Sequence, residues 1–181
     1  LWTATDERAS YSSPVAATIG DQRHVIFATR LNVVSVDPAN GRELFRFPFG
    51  RLGPAVTAAN PVVLGDNVFI TGSYNFGAVL AKAGASGVIE QWSSDEVMSS
   101  QYTTCVEYKN TLIGIHGRQD IGRAVLRCFE PKSKRVLWTE DDFGYATILL
   151  ADDKLVILKT DGELILAQAS TSKYTELASA Q

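Results

Sequence analysis

The sequence predicts an all-β protein in which four-stranded antiparallel sheets recur along the chain. Apolar, strand-like runs begin at Val25, Val68, Leu112 and Leu155, at spacings of 43, 44 and 43 residues. Each repeat contains four such runs, separated by turns rich in Gly, Asp, Asn and Pro. The β-propeller is the best known architecture with four strands in every roughly 40–45 residues. A β-propeller with about four blades is therefore the expected fold.

The repeats define the expected blades, which are residues 12–47, 58–94, 102–140 and 146–179. The stretch 1–5 is interpreted as the last strand of a preceding blade, because Leu1-Trp2-Thr3 matches Leu137-Trp138-Thr139. Four blades and an extra strand predict that this chain is part of a larger ring. Residues 78–89 have helical propensity, but the register of the repeat predicts a strand and a turn there.

Composition excludes several classes of function. The net charge is −3 and no basic block occurs, which argues against a nucleic-acid partner. No uncharged apolar stretch approaches the roughly 18 residues that a membrane-spanning helix needs. The two cysteines, Cys105 and Cys128, are too few for a disulfide framework or a cysteine-based zinc site. They are expected to form either one bridge or two buried free thiols.

The residues of the first repeat resemble those of a known family. The unit that begins at Ser13 and continues through Asp37, Gly41 and Phe45 is similar to the repeat of pyrroloquinoline-quinone-like, quinoprotein-type β-propellers. In that family the repeat closes on a Gly followed by an aromatic residue. The stretch 160–177 looks like a late blade of the family's non-dehydrogenase bacterial members.

The resemblance implies a structural role for the aromatic residues that close the repeats, namely docking between adjacent blades. A large aromatic side chain at each junction also buries substantial area where neighbouring sheets meet. Leu177, at the end of the last repeat, departs from the aromatic pattern. The expected docking residues are Trp2, Phe45, Trp92 and Trp138.

Dehydrogenases of this superfamily hold the quinone with a Trp, a disulfide between adjacent cysteines, and a calcium ion. Here Cys105 and Cys128 are not adjacent, and no compact cluster of carboxylate and amide residues resembles a calcium loop. The sequence therefore predicts no catalytic residue, no metal site and no cofactor. The alternative is pyrroloquinoline quinone with calcium, bound by residues outside this segment.

Two polar hairpins between inner strands are the candidate contact loops, because loops on a rigid scaffold commonly carry binding function. One hairpin is the most polar of the chain, and the other occupies the equivalent position one blade earlier and contains aromatics. The candidate partner-binding residues are Tyr74, Asn75, Phe76, His116, Arg118 and Asp120. His24, in contrast, is expected to be a solvated turn residue.

The leading hypothesis is a non-catalytic scaffold that binds another protein through its rim loops or strand edges. Its partner is expected to be another protein or further blades of the same ring. The alternatives are a fragment of a quinoprotein dehydrogenase and a propeller that binds a small molecule or a carbohydrate. The family resemblance implies a bacterial protein of the cell envelope, in the periplasm or otherwise outside the cytoplasm.

Overall fold

A computed structural model describes residues 2–53, 57–84 and 87–181 of the chain. Within these ranges the regular elements are sixteen β-strands, arranged in four sheets. No helix in the same ranges is long and apolar enough to span a lipid bilayer.

Each sheet consists of four consecutive strands. Blade 1 contains β1 (Val15–Ile19), β2 (Gln22–Ala28), β3 (Asn32–Val36) and β4 (Glu43–Pro48). Blade 2 contains β5 (Val62–Leu64), β6 (Asn67–Gly72), β7 (Gly77–Gly84) and β8 (Gly87–Ser94). Blade 3 contains β9 (Val106–Tyr108), β10 (Thr111–Arg118), β11 (Arg123–Glu130) and β12 (Arg135–Glu140). Blade 4 contains β13 (Ala146–Ala151), β14 (Lys154–Lys159), β15 (Leu164–Gln168) and β16 (Glu176–Ala180).

In every sheet the spatial order of the strands follows the chain, and all neighbours are antiparallel. The prediction of an all-β fold with four-stranded propeller blades is confirmed. The helical propensity near Ala81 and Ala83 is overridden, because β7 pairs with β6 on one side and β8 on the other. Both alanines are buried in the core between blades 1 and 2, where a strand is favoured by its packing.

Each blade has two faces, since successive side chains of a strand point in opposite directions. We call the face toward the following blade in the chain the forward face, and the opposite one the backward face. On the second strands, the forward face carries Ile26, Phe69, Ile113 and Val156. The backward face carries Val25, Val68, Leu112 and Leu155.

Three apolar cores join the blades, and each combines the forward face of one blade with the backward face of the next. Ile26 and Ile70 belong to the first core, Phe69 and Leu112 to the second, and Ile113 and Ile157 to the third. All six side chains are almost completely buried. Burial of one such side chain contributes about 1.5–3 kcal/mol, so these cores dominate the stability of the array.

A β-bulge interrupts the fourth strand of every blade and determines which of its residues faces forward. Beside the bulges, the partners across the third and fourth strands are Ser35 and Phe45, Leu80 and Trp92, Cys128 and Trp138, and Leu166 and Ala178. Bulges commonly re-aim a side chain in this way. In blade 4 the position of the closing aromatic therefore belongs to Ala178, and Leu177 is the extra residue of the bulge.

Residues 2–8 lie outside the four sheets, residue 1 lies outside the described residues, and the assignment of residues 1–5 to the last strand of a preceding blade stays a prediction. Residues 2–8 cover the backward face of blade 1, where Ala9 forms a single bridge with Thr29. The Glu7 carboxylate accepts hydrogen bonds from Asn32 Nδ2 at 2.6 Å and Thr29 Oγ1 at 3.1 Å, and forms a salt bridge with Arg46 at 2.7 Å. These bonds fix the segment on the sheet.

His24 is buried, with 6% of its surface exposed, and lies on the forward face of β2. Its Nδ1 is 2.8 Å from Ser35 Oγ, and its ring centroid is 5.7 Å from that of Phe45. Burial lowers its pKa below the ordinary value. The expectation of a solvated turn residue was wrong, because the tight turn ends at Asp21 and the strand already starts at Gln22.

Candidate interaction surface

The β6–β7 hairpin presents a rigid aromatic turn. Tyr74 and Asn75 occupy its two central positions, with φ of 61° and 65°, and Phe76 N–H donates to Ser73 O at 3.3 Å. Positive φ at both central residues is the requirement of a type I′ turn, which matches the twist of a hairpin. Asn adopts this conformation readily, whereas Tyr does so only when its surroundings hold it.

The neighbouring hairpin of blade 3 provides those surroundings. The Arg118 guanidinium lies 4.3 Å from the centre of the Tyr74 ring, a cation–π contact. Arg118 Nε also donates to Asp120 Oδ1 at 2.9 Å. This hydrogen bond raises the pKa of Arg118 and lowers that of Asp120, so both groups keep their charge.

A third segment, which precedes β9, joins the two hairpins. Gln101 Nε2 donates to Tyr74 Oη at 2.8 Å and to Asp120 Oδ1 at 3.3 Å, and Gln119 N–H donates to Gln101 Oε1 at 2.8 Å. Tyr102 Oη donates to Gln119 Oε1 at 2.5 Å. Sequence reasoning missed Gln101 and Tyr102, because nothing in the polar stretch between two repeats indicates that it crosses both hairpins.

Of the predicted contact residues, the structure brings Tyr74, Arg118 and Asp120 into one cluster. Asn75 is exposed at the tip of the same turn. Phe76 is partly buried instead, with its ring centroid 6.1 Å from that of Phe49 in an edge-on arrangement. Phe76 thus fixes the hairpin to the apolar core between blades 1 and 2.

His116 lies at the base of the cluster and is mostly buried. Ser99 N–H donates to its Nδ1 at 3.0 Å, so the ring hydrogen of the neutral imidazole resides on Nε2. Burial lowers the pKa of His116 to about 4, and the Arg127 guanidinium acts in the same direction, while Asp95 opposes them. The side chain is therefore neutral at physiological pH.

A cleft of about 670 Å³ opens beside these groups. The side chains of opposite charge that line it are Arg118, Arg123, Asp95 and Asp142. Tyr74 and His116 complete its polar wall. The chemistry of the lining suits hydrogen bonding and charge pairing with another molecule.

The described residues do not fit a quinone held with calcium. Cys105 and Cys128 are both buried free thiols, which settles the two alternatives left open by the sequence. Burial raises the pKa of Cys105 to about 12 and also raises that of Cys128, so neither is a reactive thiolate. In the ranges that the structure describes, no three His, Cys, Asp or Glu side chains are grouped as a metal site would require.

The closing aromatics lie at the junctions between blades. Trp92 Nε1 donates to Pro131 O of blade 3 at 2.7 Å, and Trp138 Nε1 donates to Ser170 O of blade 4 at 2.9 Å. Both acceptors belong to the turn between the third and fourth strands of the following blade. Phe45 packs in the core between blades 1 and 2. Trp2 lies against the equivalent turn of blade 1, where a β-carbon at Gly41 would overlap its ring.

Comparison with known proteins places this architecture in a family. A family model described as outer membrane protein assembly factor BamB matches residues 1–121, which include blades 1 and 2 and the first two strands of blade 3. The chain belongs to this family. The match confirms the resemblance to quinoprotein-type propeller repeats and agrees with the non-dehydrogenase branch.

The crystal structure of BamB from Moraxella catarrhalis is similar to the chain in fold. The comparison covers 99% of this chain and 67% of that one, with a TM-score of 0.53 and 11% sequence identity. An identity this low supports a common fold alone. No curated protein matches the sequence.

Proposed function

We propose that this chain is a non-catalytic scaffold of the bacterial cell envelope that binds another protein, outside the cytoplasm and without a cofactor. Membership of the BamB family supports a role in protein–protein interaction and an extracytoplasmic location. The main observation in support of the proposal is the cluster of Tyr74, Arg118 and Gln101. Its contacts hold two exposed hairpins together as one rigid surface.

The physical case rests on pre-organisation. Binding through flexible loops costs about 0.5–1.5 kcal/mol for each long side chain that becomes ordered. In this cluster the Arg118 side chain is already held by the Tyr74 ring and by Asp120. Tyr and Arg are also the residue types enriched in the energetically dominant part of interfaces.

The proposal can be tested by site-specific photo-crosslinking in the native host. A photoreactive residue at Asn75 is expected to form one discrete adduct with another protein, identified by mass spectrometry. The matched control is a photoreactive residue at Asp66, an exposed turn position at the opposite end of the same hairpin strand β6. Adducts at Asp66 alone, or none at Asn75, would contradict the proposal.

The identified partner then permits a quantitative test. The double variant Y74A/R118A removes the stacked pair and is expected to weaken partner binding by at least tenfold. The variant D66A should bind like the wild type. Unchanged binding of Y74A/R118A, with a wild-type circular dichroism spectrum, would place the binding surface elsewhere on the molecule.

A further inference from the structure

The backbone of Tyr74 has a conformation that is unusual for its residue type. In the part of the chain that the structure describes, Tyr74 is the one aromatic residue with a positive φ. Bulky side chains rarely adopt this conformation, and they persist in it only where surrounding contacts hold them. Such residues cluster at functional sites. The contacts that hold Tyr74 therefore determine the shape of the interaction surface.

A contact from the side of blade 1 adds to those of Arg118 and Gln101. Arg51, in the connection between blades 1 and 2, donates from Nη2 to Tyr74 O. Its Cζ lies 5.1 Å from the centre of the Phe76 ring, a cation–π contact. Arg118 and Gln101 contact the side chain of Tyr74, whereas Arg51 binds its backbone. Arg51 thus acts directly on the part of Tyr74 that is strained.

The backbone of Arg51 is itself fixed to blade 1. Phe49 is buried, and its N–H donates to Leu31 O in the β2–β3 hairpin at 2.9 Å. Gly50 has a φ of 116°, and a β-carbon there would lie 2.5 Å from Arg30 O, so only glycine fits at this position. The Arg51 guanidinium consequently connects a fixed segment of blade 1 to the β6–β7 hairpin of blade 2.

The residue types in the turn explain why it needs this support. Type I′ turns usually have Asn-Gly or another glycine-containing pair at their centre, because both positions require a positive φ. Here the pair is Tyr74-Asn75. Tyrosine at the first position favours a negative φ, which would open the turn. The closed turn therefore depends on contacts from its neighbours rather than on its own sequence.

We propose that Arg51 is a positioning residue of the interaction surface. It holds the Tyr74 turn in the conformation that binds the partner protein and does not itself touch that partner. This inference rests on the proposed function, since it concerns the same surface. When only the closed turn is competent to bind, the apparent affinity falls in proportion to the closed fraction. Loss of Arg51 is expected to slow association and to leave dissociation unchanged, because the contacts within the complex remain the same.

The first test uses the free protein and needs no partner. NMR scalar couplings that report φ of Tyr74 are measured in the wild type, R51A, R51K and R42A. R51A is expected to shift the couplings toward a negative φ, and R51K, which keeps a charged donor, to shift them less. R42A, at an exposed arginine in the β3–β4 turn, should match the wild type. Arg51 is also exposed, so R51A should unfold at nearly the wild-type temperature. Unchanged couplings in R51A would overturn the proposal.

The second test measures binding kinetics with the partner that crosslinks at Asn75. R51A is expected to reduce the association rate constant at least threefold at both low and high salt, with a wild-type dissociation rate constant. A reduction that disappears at high salt would indicate lost electrostatic steering instead, and faster dissociation would indicate a direct contact between Arg51 and the partner. Either result, or unchanged association, would contradict the proposal.

The two tests separate this inference from the proposed function. If Asn75 gives no adduct, the proposed function fails, whereas the couplings of Tyr74 still decide whether Arg51 positions the turn. If Asn75 gives an adduct and R51A behaves like the wild type in both tests, the proposed function stands and the role of Arg51 is rejected.

Discussion

At the residue scale, Trp92 shows how a single side chain joins two neighbouring blades. It is 9% exposed, its ring centroid is 6.2 Å from that of Phe69, and its Nε1 donates to the neighbouring blade. W92F should therefore lose about 1 kcal/mol of unfolding free energy, the net value of one hydrogen bond. W92A should lose about 3–5 kcal/mol through the cavity it creates.

Urea denaturation of these variants provides the measurement, with W2A as the matched control. Trp2 exposes 45% of its surface, so W2A should lose much less free energy than W92A. Equal losses for the two tryptophans would contradict the view that Trp92 is held by interblade packing.

His116 gives a prediction about pH. Its pKa is about 4 in the folded protein, against about 6.5 in an unfolded chain. Between these values the unfolded state binds more protons, so the unfolding free energy is at its full value above pH 6.5 and falls as the pH drops toward 4. H116Q should flatten this decline without abolishing it, since the pKa of His24 is also lowered. The unfolding free energies of the wild type and of H116Q are measured by denaturation at several pH values. An identical decline in the two proteins would contradict the assignment of the lowered pKa to His116.

The two histidines also show where sequence reasoning reaches its limit at this scale. His116 was expected in a rim loop, but it lies on β10 and is mostly buried, with Ser99 N–H donating to its Nδ1 from a segment 17 residues earlier. His24 was misread because a Gln-Arg-His triplet is equally polar in a turn and on a strand. Its burial is decided by Ser35 and Phe45 from other strands, and no local pattern reports such a partner.

At the element scale, one tyrosine hydroxyl adds polar contacts to the apolar core between blades 3 and 4. Tyr145 Oη, just before β13, accepts hydrogen bonds from the backbone N–H groups of Tyr102 at 2.7 Å and Thr103 at 3.1 Å. Tyr145 is 3% exposed, so Y145F would leave these donors without a partner. A cost of about 1–3 kcal/mol per buried donor is expected.

Thermal and urea unfolding of Y145F test this junction, and Y174F is the control. Tyr174 Oη donates to Glu176 at 3.3 Å in an exposed setting, so Y174F should change the unfolding free energy by less than about 0.5 kcal/mol. If the Tyr145 hydroxyl joins the two blades, Y145F must lose clearly more unfolding free energy than Y174F.

The elements themselves were largely readable from the sequence, because a spacing of 43 or 44 residues fixes where each second strand begins. The turn chemistry at Gly65-Asp66 separates β5 from β6 as expected, whereas the first turn ends at Asp21 and does not include His24. The bulge in each fourth strand was not readable, and the alignment of Leu177 with the closing aromatics was off by one residue as a result. A bulge leaves no composition signal, yet it decides that Ala178 faces forward.

At the scale of the whole molecule, the blades differ in how many of their faces are covered. Blades 2 and 3 are packed on both faces, and their central residues Phe69, Leu112 and Ile113 are essentially inaccessible. Among the described residues, blade 4 is packed against another blade on one face only, and its last strand β16 is exposed at every residue. In repeat arrays the stability of a unit depends on its nearest-neighbour interfaces, so the blades should not share one opening free energy.

Hydrogen exchange measured by mass spectrometry tests this gradient. Amides of β6, β7, β10 and β11 should exchange most slowly, and those of β15 and β16 most rapidly, since local opening is easiest where buried contacts are few. Uniform protection of all four blades would instead mean that the array opens as a single cooperative unit. That result would contradict a lower opening free energy for blade 4.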